Sequence, residues 1–247
     1  MRNVLLFIAV FLCVCAISCT GRNANEATDA NGLAQGTTTQ SGDAARTFLE
    51  QGKTLYRKDQ DEQALEAFQQ ALNLNPELAE AHFRMGLTYD ALGKEQEAEA
   101  SYKKAVESYK KYFAKEENEQ DAEAHYNLAQ TYAGLHLYTE AVREYRQATR
   151  LKQDDADIYY DLGLALTRLA QYDEAVAAFQ KSLEIDPNNF RAEDGLGEAQ
   201  EGAKRVRAGK KHQEELLKKQ KQEELKKQQE NANKPPANTQ AGVANKP

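Results

Sequence analysis

Between residues 44 and 200 the apolar positions return every third or fourth residue, the spacing that gathers side chains along one face of an α-helix. The stretch 156–189 shows it most plainly. Tyr159, Leu162, Gly163 and Leu166 form one stripe, Ala175, Phe179 and Ser182 form a second, and Asp186-Pro187 closes the unit. Two amphipathic helices joined by a tight turn are predicted. The unit recurs: Gly52, Gly86, Ala129 and Gly163 are equivalent small residues, and so are Ala64, Ala98, Ala141 and Ala175, each series stepping by 34, 43 and 34 residues. A fixed period of this length marks stacked helical repeats.

Four helix pairs follow, at 45–78, 79–112, 122–155 and 156–189, within a repeat region spanning 44–189. Their pattern resembles the tetratricopeptide repeat, in which an aromatic residue, Leu-Gly, Tyr, Ala, Phe and Pro hold spaced positions of a 34-residue helix pair. The resemblance implies an all-α fold, a right-handed superhelical solenoid. Each pair alone leaves its apolar face in water, so neighbouring pairs must stack to bury it. The small residues let helix axes approach closely, and Phe68, Tyr102, Tyr145 and Phe179 are expected to fill the space between repeats. Asn75-Pro76 and Asp186-Pro187 stop the second helices of repeats one and four, because proline cannot donate to the preceding turn. Repeat two lacks such a stop, and its second helix is predicted to run on through Tyr109, Tyr112 and Phe113 before the charged segment 115–121.

Past Asn189, Phe190, Leu196 and Gly197 begin a further first helix and the pattern then fades, as expected of a capping helix at 190–206. Residues 207–247 are rich in Lys, Gln and Glu. Their few leucines, Leu216, Leu217 and Leu225, do not sustain a heptad, so a solvated helix is predicted, ended by Pro235-Pro236 and followed by a disordered tail.

The amino terminus reads as an address. A single Arg2 precedes an apolar run from Val4 to Ile17, short of the roughly 20 residues of a membrane span but suited to the core of a secretory signal. The run ends in Ala16-Ile17-Ser18-Cys19, which resembles a relaxed bacterial lipobox. That resemblance implies a lipoprotein signal peptide at 1–18, lipidation at Cys19, and an anchor to a membrane of a diderm bacterium, periplasmic or outer-membrane in location. A secreted protein cut near Ser18, or an uncleaved anchor, would share the same run. The polar segment 19–43 is expected to be a flexible, disordered linker.

Composition narrows the chemistry. All three cysteines lie in the first nineteen residues, so the repeats carry no disulfide, thiolate nucleophile or cysteine metal site. No histidine pair has metal-binding spacing, no glycine-rich phosphate loop is present, and neither a cofactor nor a metal is expected. His82 and His125 share the repeat position that holds Phe48 and Tyr159 elsewhere, and are read as stacked rings. No active site is inferred. From Ala44 to Gln200 there are 18 basic and 30 acidic residues, whereas from Lys204 onward there are 12 basic and 5 acidic, so an acidic body carries a basic tail.

In the repeat family the inner face of the first helices binds peptides. Repeat equivalence carries that face onto Leu49 and Lys53, Phe83 and Leu87, Tyr126 and Gln130, and Tyr160 and Leu164. Leu49, Phe83, Tyr126 and Tyr160 are expected to form a ladder of apolar anchors, rimmed by Glu80, Glu123, Asp157 and Asp161. Such a rim favours neutral or basic segments with apolar anchors, supplied by other envelope proteins; nucleic acid is not an expected partner. The basic residues that clamp a terminal carboxylate in chaperone-binding members are missing, with Leu49 and Glu123 in their places. The reading is a protein-binding scaffold or assembly factor of the cell envelope. The rival is a structural protein whose basic tail holds it to cell wall or anionic lipid.

Overall fold

A computed structural model describes residues 30–233. It divides into a unit of residues 1–41, described here only for its helical residues 30–41, and a unit of residues 42–247 that contains the repeats. Cys19 and the signal-like run fall outside the described residues.

The described residues form helices α1 (Ala30–Tyr56), α2 (Asp61–Leu74), α3 (Ala79–Ala91), α4 (Glu95–Phe113), α5 (Ala122–Gly134), α6 (Tyr138–Leu151), α7 (Ala156–Arg168), α8 (Tyr172–Ile185) and α9 (Phe190–Ala232), with a short 3-10 turn at Glu116–Asn118. The pairs α5–α6 and α7–α8 fall inside the predicted repeats 122–155 and 156–189, and α4 runs one residue past the predicted end at 112. Helix α1 begins at Ala30, ahead of the expected start at residue 45, and so enters the segment assigned to the linker.

The turn inside every pair is built alike. Asp59, Gly93, His136 and Ala170 have φ of 56°, 68°, 58° and 56°, a left-handed residue at the same place in each repeat. Only Gly93 adopts it without a steric penalty. The loops between pairs differ. At Asn75 and Asp186, each before a proline, the chain is extended with φ of -137° and -125°, and α2 and α8 stop there. Asp121 and Asp155 cap α5 and α7 by accepting from backbone N–H groups of the first turn. As the missing proline predicts, α4 has 19 residues where α2 has 14. Its end does not project freely: Phe113 stacks on His125 at 4.2 Å, and the Tyr112 hydroxyl donates to Asp121 at 2.7 Å.

The core runs continuously between layers. Phe68, Tyr102, Tyr145 and Phe179 of the second helices are at most 2% exposed. The equivalent glycines give three of these rings their room: a Cβ on Gly163 would lie 2.6 Å from the Phe179 ring, and one on Gly52 2.5 Å from that of Phe68. Close approach, expected between helix axes, is thus realised as ring against backbone within repeats one, two and four, and again between layers where Gly134 meets Tyr102 and Gly195 meets Phe179.

Helix α9 covers the last pair through a narrow stripe of Ala192, Gly195, Ala199, Gly202 and Ala203. From Lys204 to Glu230 every residue is exposed. The expected cap and tail helix are one helix, because nothing between them breaks it: the Ala, Lys, Glu and Gln residues there all favour helix.

Candidate protein-binding face

Helices α3, α5, α7 and α9 touch one another in succession, so the first helices of the repeats form a layer of their own. The side chains predicted to line it have unequal fates. Leu49 and Phe83 are buried, Phe83 completely, and belong to the core; they cannot serve as rungs of a surface ladder. The physical reason is that Phe83 packs at 6.5 Å from the Tyr102 ring, in space left by the small residues around it. Tyr126 and Tyr160 are half-buried, and each has a task within the chain. The Tyr126 hydroxyl donates to Asp161 at 2.8 Å, and the Tyr160 ring lies under the Arg191 guanidinium at 4.7 Å. Leu87 is half-buried against the core, while Leu164 is exposed.

Lys53 and Gln130 act as fasteners. Lys53 bridges Glu50 at 2.8 Å and Glu80 at 3.0 Å, and Glu80 also holds Arg84 at 3.1 Å, joining repeats one and two. Burial opposes the charge on Lys53, but the two carboxylates prevail and raise its pKa. Gln130 donates to the Tyr126 hydroxyl oxygen at 3.0 Å and to Asp161 at 3.1 Å. Desolvation raises the Asp161 carboxyl above the usual carboxylate range, against the hydrogen bonds from Tyr126 and Gln130. Burial and the neighbouring Asp161 in turn push the Tyr126 hydroxyl upward.

The expected acidic rim is therefore largely neutralised. Glu80 pairs with Lys53 and Arg84, Asp157 pairs with Arg191 at 3.2 Å, and Asp161 is tied to Tyr126 and Gln130. Glu123 is exposed and enters no ion pair among the described residues. What remains is a hollow of about 290 Å³ of mixed polar and apolar lining, bordered by Gln130, Tyr138, Asp161, Leu164 and Arg168.

A second cluster escaped the sequence reading. His125 Nδ1 lies 2.9 Å from Glu144 Oε2, Arg143 bonds the other oxygen at 2.8 Å, and His125 Nε2 is 3.2 Å from the Glu119 carbonyl. Glu144 is buried, and its place beside Val142 and Tyr145 on the inward stripe of α6 was the available signal. Burial pushes its carboxyl up, but the hydrogen bonds from His125 and Arg143 outweigh that and hold it below the usual range. His82 is half-buried with Nε2 3.0 Å from the Pro76 carbonyl oxygen, and burial lowers its pKa. Both rings are structural neighbours of loop carbonyls, consistent with packed rings. Among the described residues no three His, Cys, Asp or Glu side chains are placed to hold a metal ion, and no helix is long and apolar enough to cross a membrane.

Comparison with known proteins agrees with this geometry. A family model described as TPR repeat matches residues 52–93 and 138–169, and two described as tetratricopeptide repeat match 79–112 and 156–189. These segments are tetratricopeptide repeats, and the fold is a right-handed superhelical solenoid of the kind that supports protein-interaction scaffolds. No curated protein matches the chain. Among solved structures, one described as the functional characterization of Pseudomonas aeruginosa pilF is 19% identical with a TM-score of 0.53, over 67% of this chain and 72% of that one. A MamA protein is 28% identical with a TM-score of 0.47, over 77% and 96%. MamA 41-end from Desulfovibrio magneticus RS-1 is 21% identical with a TM-score of 0.45, over 70% and 98%. The likeness to pilF is one of fold.

Proposed function

We propose that this chain is a cell-envelope lipoprotein, anchored through Cys19, whose repeats act as a scaffold or assembly factor by binding segments of other envelope proteins along the first-helix face. The carrying observation is the hollow beside exposed Leu164, where an apolar anchor meets the amide of Gln130 and the charged groups Asp161 and Arg168. A small apolar spot surrounded by fixed polar groups suits an extended segment with one modest anchor. Tyr126 and Tyr160 shape that face from below rather than gripping a partner. The lipobox-like Ala16-Ile17-Ser18-Cys19 supports the anchor, which Cys19→Ser should abolish, read as loss of an acyl-modified amino terminus by mass spectrometry.

The test of the binding face is a photoreactive residue at Leu164 in living cells. A discrete protein adduct is expected there; the reading fails if Leu164 yields none while the same probe at Lys219 yields one. That second result would favour the rival reading, for which the observation is the exposure of every residue from Lys204 to Glu230. Deleting residues 204–247 separates the two, since a face-bound partner is retained and a tail-bound one is lost.

A further inference from the structure

Where α3, α4 and α5 meet, a cavity of about 170 Å³ opens between Leu78, Glu80, Tyr109, Tyr112, Glu123 and Asn127. At about 30 Å³ per water it holds about six, enough for one side chain and too little for a folded element. Its walls are of two kinds. The rings of Tyr109 and Tyr112 with Leu78 give an apolar flank, and the carboxylates of Glu80 and Glu123 stand against it.

Tyr109 distinguishes this cavity from an ordinary cleft between helices. The residue is 3% exposed, yet its hydroxyl has no hydrogen-bond partner, alone among the buried side-chain polar atoms of the described residues. Leaving a hydroxyl dry and unpaired costs about 1–3 kcal/mol. The charges that bear on it are Glu80, Arg84 and Glu123, and the Asn127 amide is near but outside hydrogen-bond geometry; Glu80, Glu123 and Asn127 line the same cavity as the Tyr109 ring. Glu123, as noted, has no ion pair, whereas Glu80 shares its charge with Lys53 and Arg84.

We propose that this cavity is a subsite for a lysine side chain of a partner segment, the methylene stem lying along Tyr112 and the ammonium reaching Glu123 and the Tyr109 hydroxyl. An ammonium carries three donors and no acceptor, and the cavity offers carboxylate and hydroxyl oxygens, with Glu123 in no ion pair among the described residues. A metal ion is a poorer fit, because the acidic groups are not placed as a ligand set. The chain's own basic helix is a poorer fit too: among the described elements, α9 packs on α7 and α8, at the other end of the repeats. The assignment rests on the protein-binding reading and specifies its chemistry, namely that the bound segment presents a lysine to repeats two and three.

The test uses the full-length protein carrying 13C-labelled tyrosine rings, titrated with Nα-acetyl-lysine methylamide and, in parallel, its norleucine counterpart, which keeps the stem and lacks the charge. Saturable shifts of the Tyr109 and Tyr112 signals are expected with the lysine probe alone. Glu123→Gln should weaken the lysine response roughly fivefold, the loss expected for one partly screened charge. Tyr109→Phe should also weaken it, read at Tyr112, while leaving the thermal midpoint no lower than wild type, because the hydroxyl removed has no partner in the free protein. No saturable shift with lysine, an equal response to norleucine, or indifference to Glu123→Gln would overturn the assignment. Crosslinking at Leu164 reads the other face separately: adducts there without lysine binding leave the scaffold reading standing and remove the subsite, and lysine binding without adducts does the reverse.

Discussion

The hydroxyl of Tyr126 on α5 donates to the carboxylate of Asp161 on α7, 2.8 Å away, so a hydrogen bond to a desolvated charge fastens repeat three to repeat four. Gln130 completes the junction from the same helix as Tyr126. Tyr126→Phe leaves that carboxylate with Gln130 as its remaining donor and should cost about 1–3 kcal/mol, measured by chemical denaturation.

The same carboxylate sets a pH dependence. Its folded pKa lies above the unfolded value, so the folded state holds the proton more tightly and stability falls as pH rises from about 4 through the folded pKa. Relative to wild type, Asp161→Asn should therefore gain stability across that interval. Thermal midpoints of the two proteins at closely spaced pH values check this; a constant difference would refute it.

Glu144 has the opposite sign. Its folded pKa is lowered by His125 and Arg143, so its contribution is present above the unfolded carboxylate value and lost as pH falls through the folded one. At neutral pH, Glu144→Gln should cost about 1–2 kcal/mol, the lower end of a charged hydrogen bond because Arg143 is largely exposed. The gap between wild type and variant should narrow on acidification.

Glycines in equivalent-looking helical settings should respond in opposite directions. Gly163→Ala drives a methyl into the Phe179 ring, 2.6 Å away, and should destabilise by about 1–3 kcal/mol. Gly197 has nothing within 4 Å of a built Cβ and sits inside α9, so Gly197→Ala should stabilise by about 0.5–1 kcal/mol. Differential scanning calorimetry on both variants decides.

Ala170 adopts φ of 56° in the turn before α8, where its counterpart in repeat two is Gly93. Ala170→Gly should relieve about 0.5–1 kcal/mol after the added flexibility of the unfolded chain is set against the relieved strain. Urea midpoints measure it.

The repeat frame was legible because it depends on periodicity alone, and small residues such as Gly163 and Ala175 announce their own spacing. The binding face was harder to read. Position equivalence placed Leu49, Phe83, Tyr126 and Tyr160 together, yet the first two are core and the last two half-buried. Phe83 has no polar atom and sinks against Tyr102, whereas Tyr126 must keep its hydroxyl where Asp161 can meet it. Pairings such as Lys53 with Glu80, or His125 with Glu144, depend on which neighbour a helix meets in space, and a single repeat does not encode that. The joining of cap and tail into α9 was missed for a simpler reason: a change of composition at residue 207 is not a helix stop.

That uninterrupted helix has a mechanical consequence. Beyond Ala203, residues 204–232 advance about 1.5 Å each, so the helix reaches roughly 40 Å past its last packed turn as a stiff spar. Whatever is joined to its far end is held at a distance from the solenoid by a strut, not by a slack tether. Two repeat bodies approaching along that axis would meet a row of lysines before they met each other.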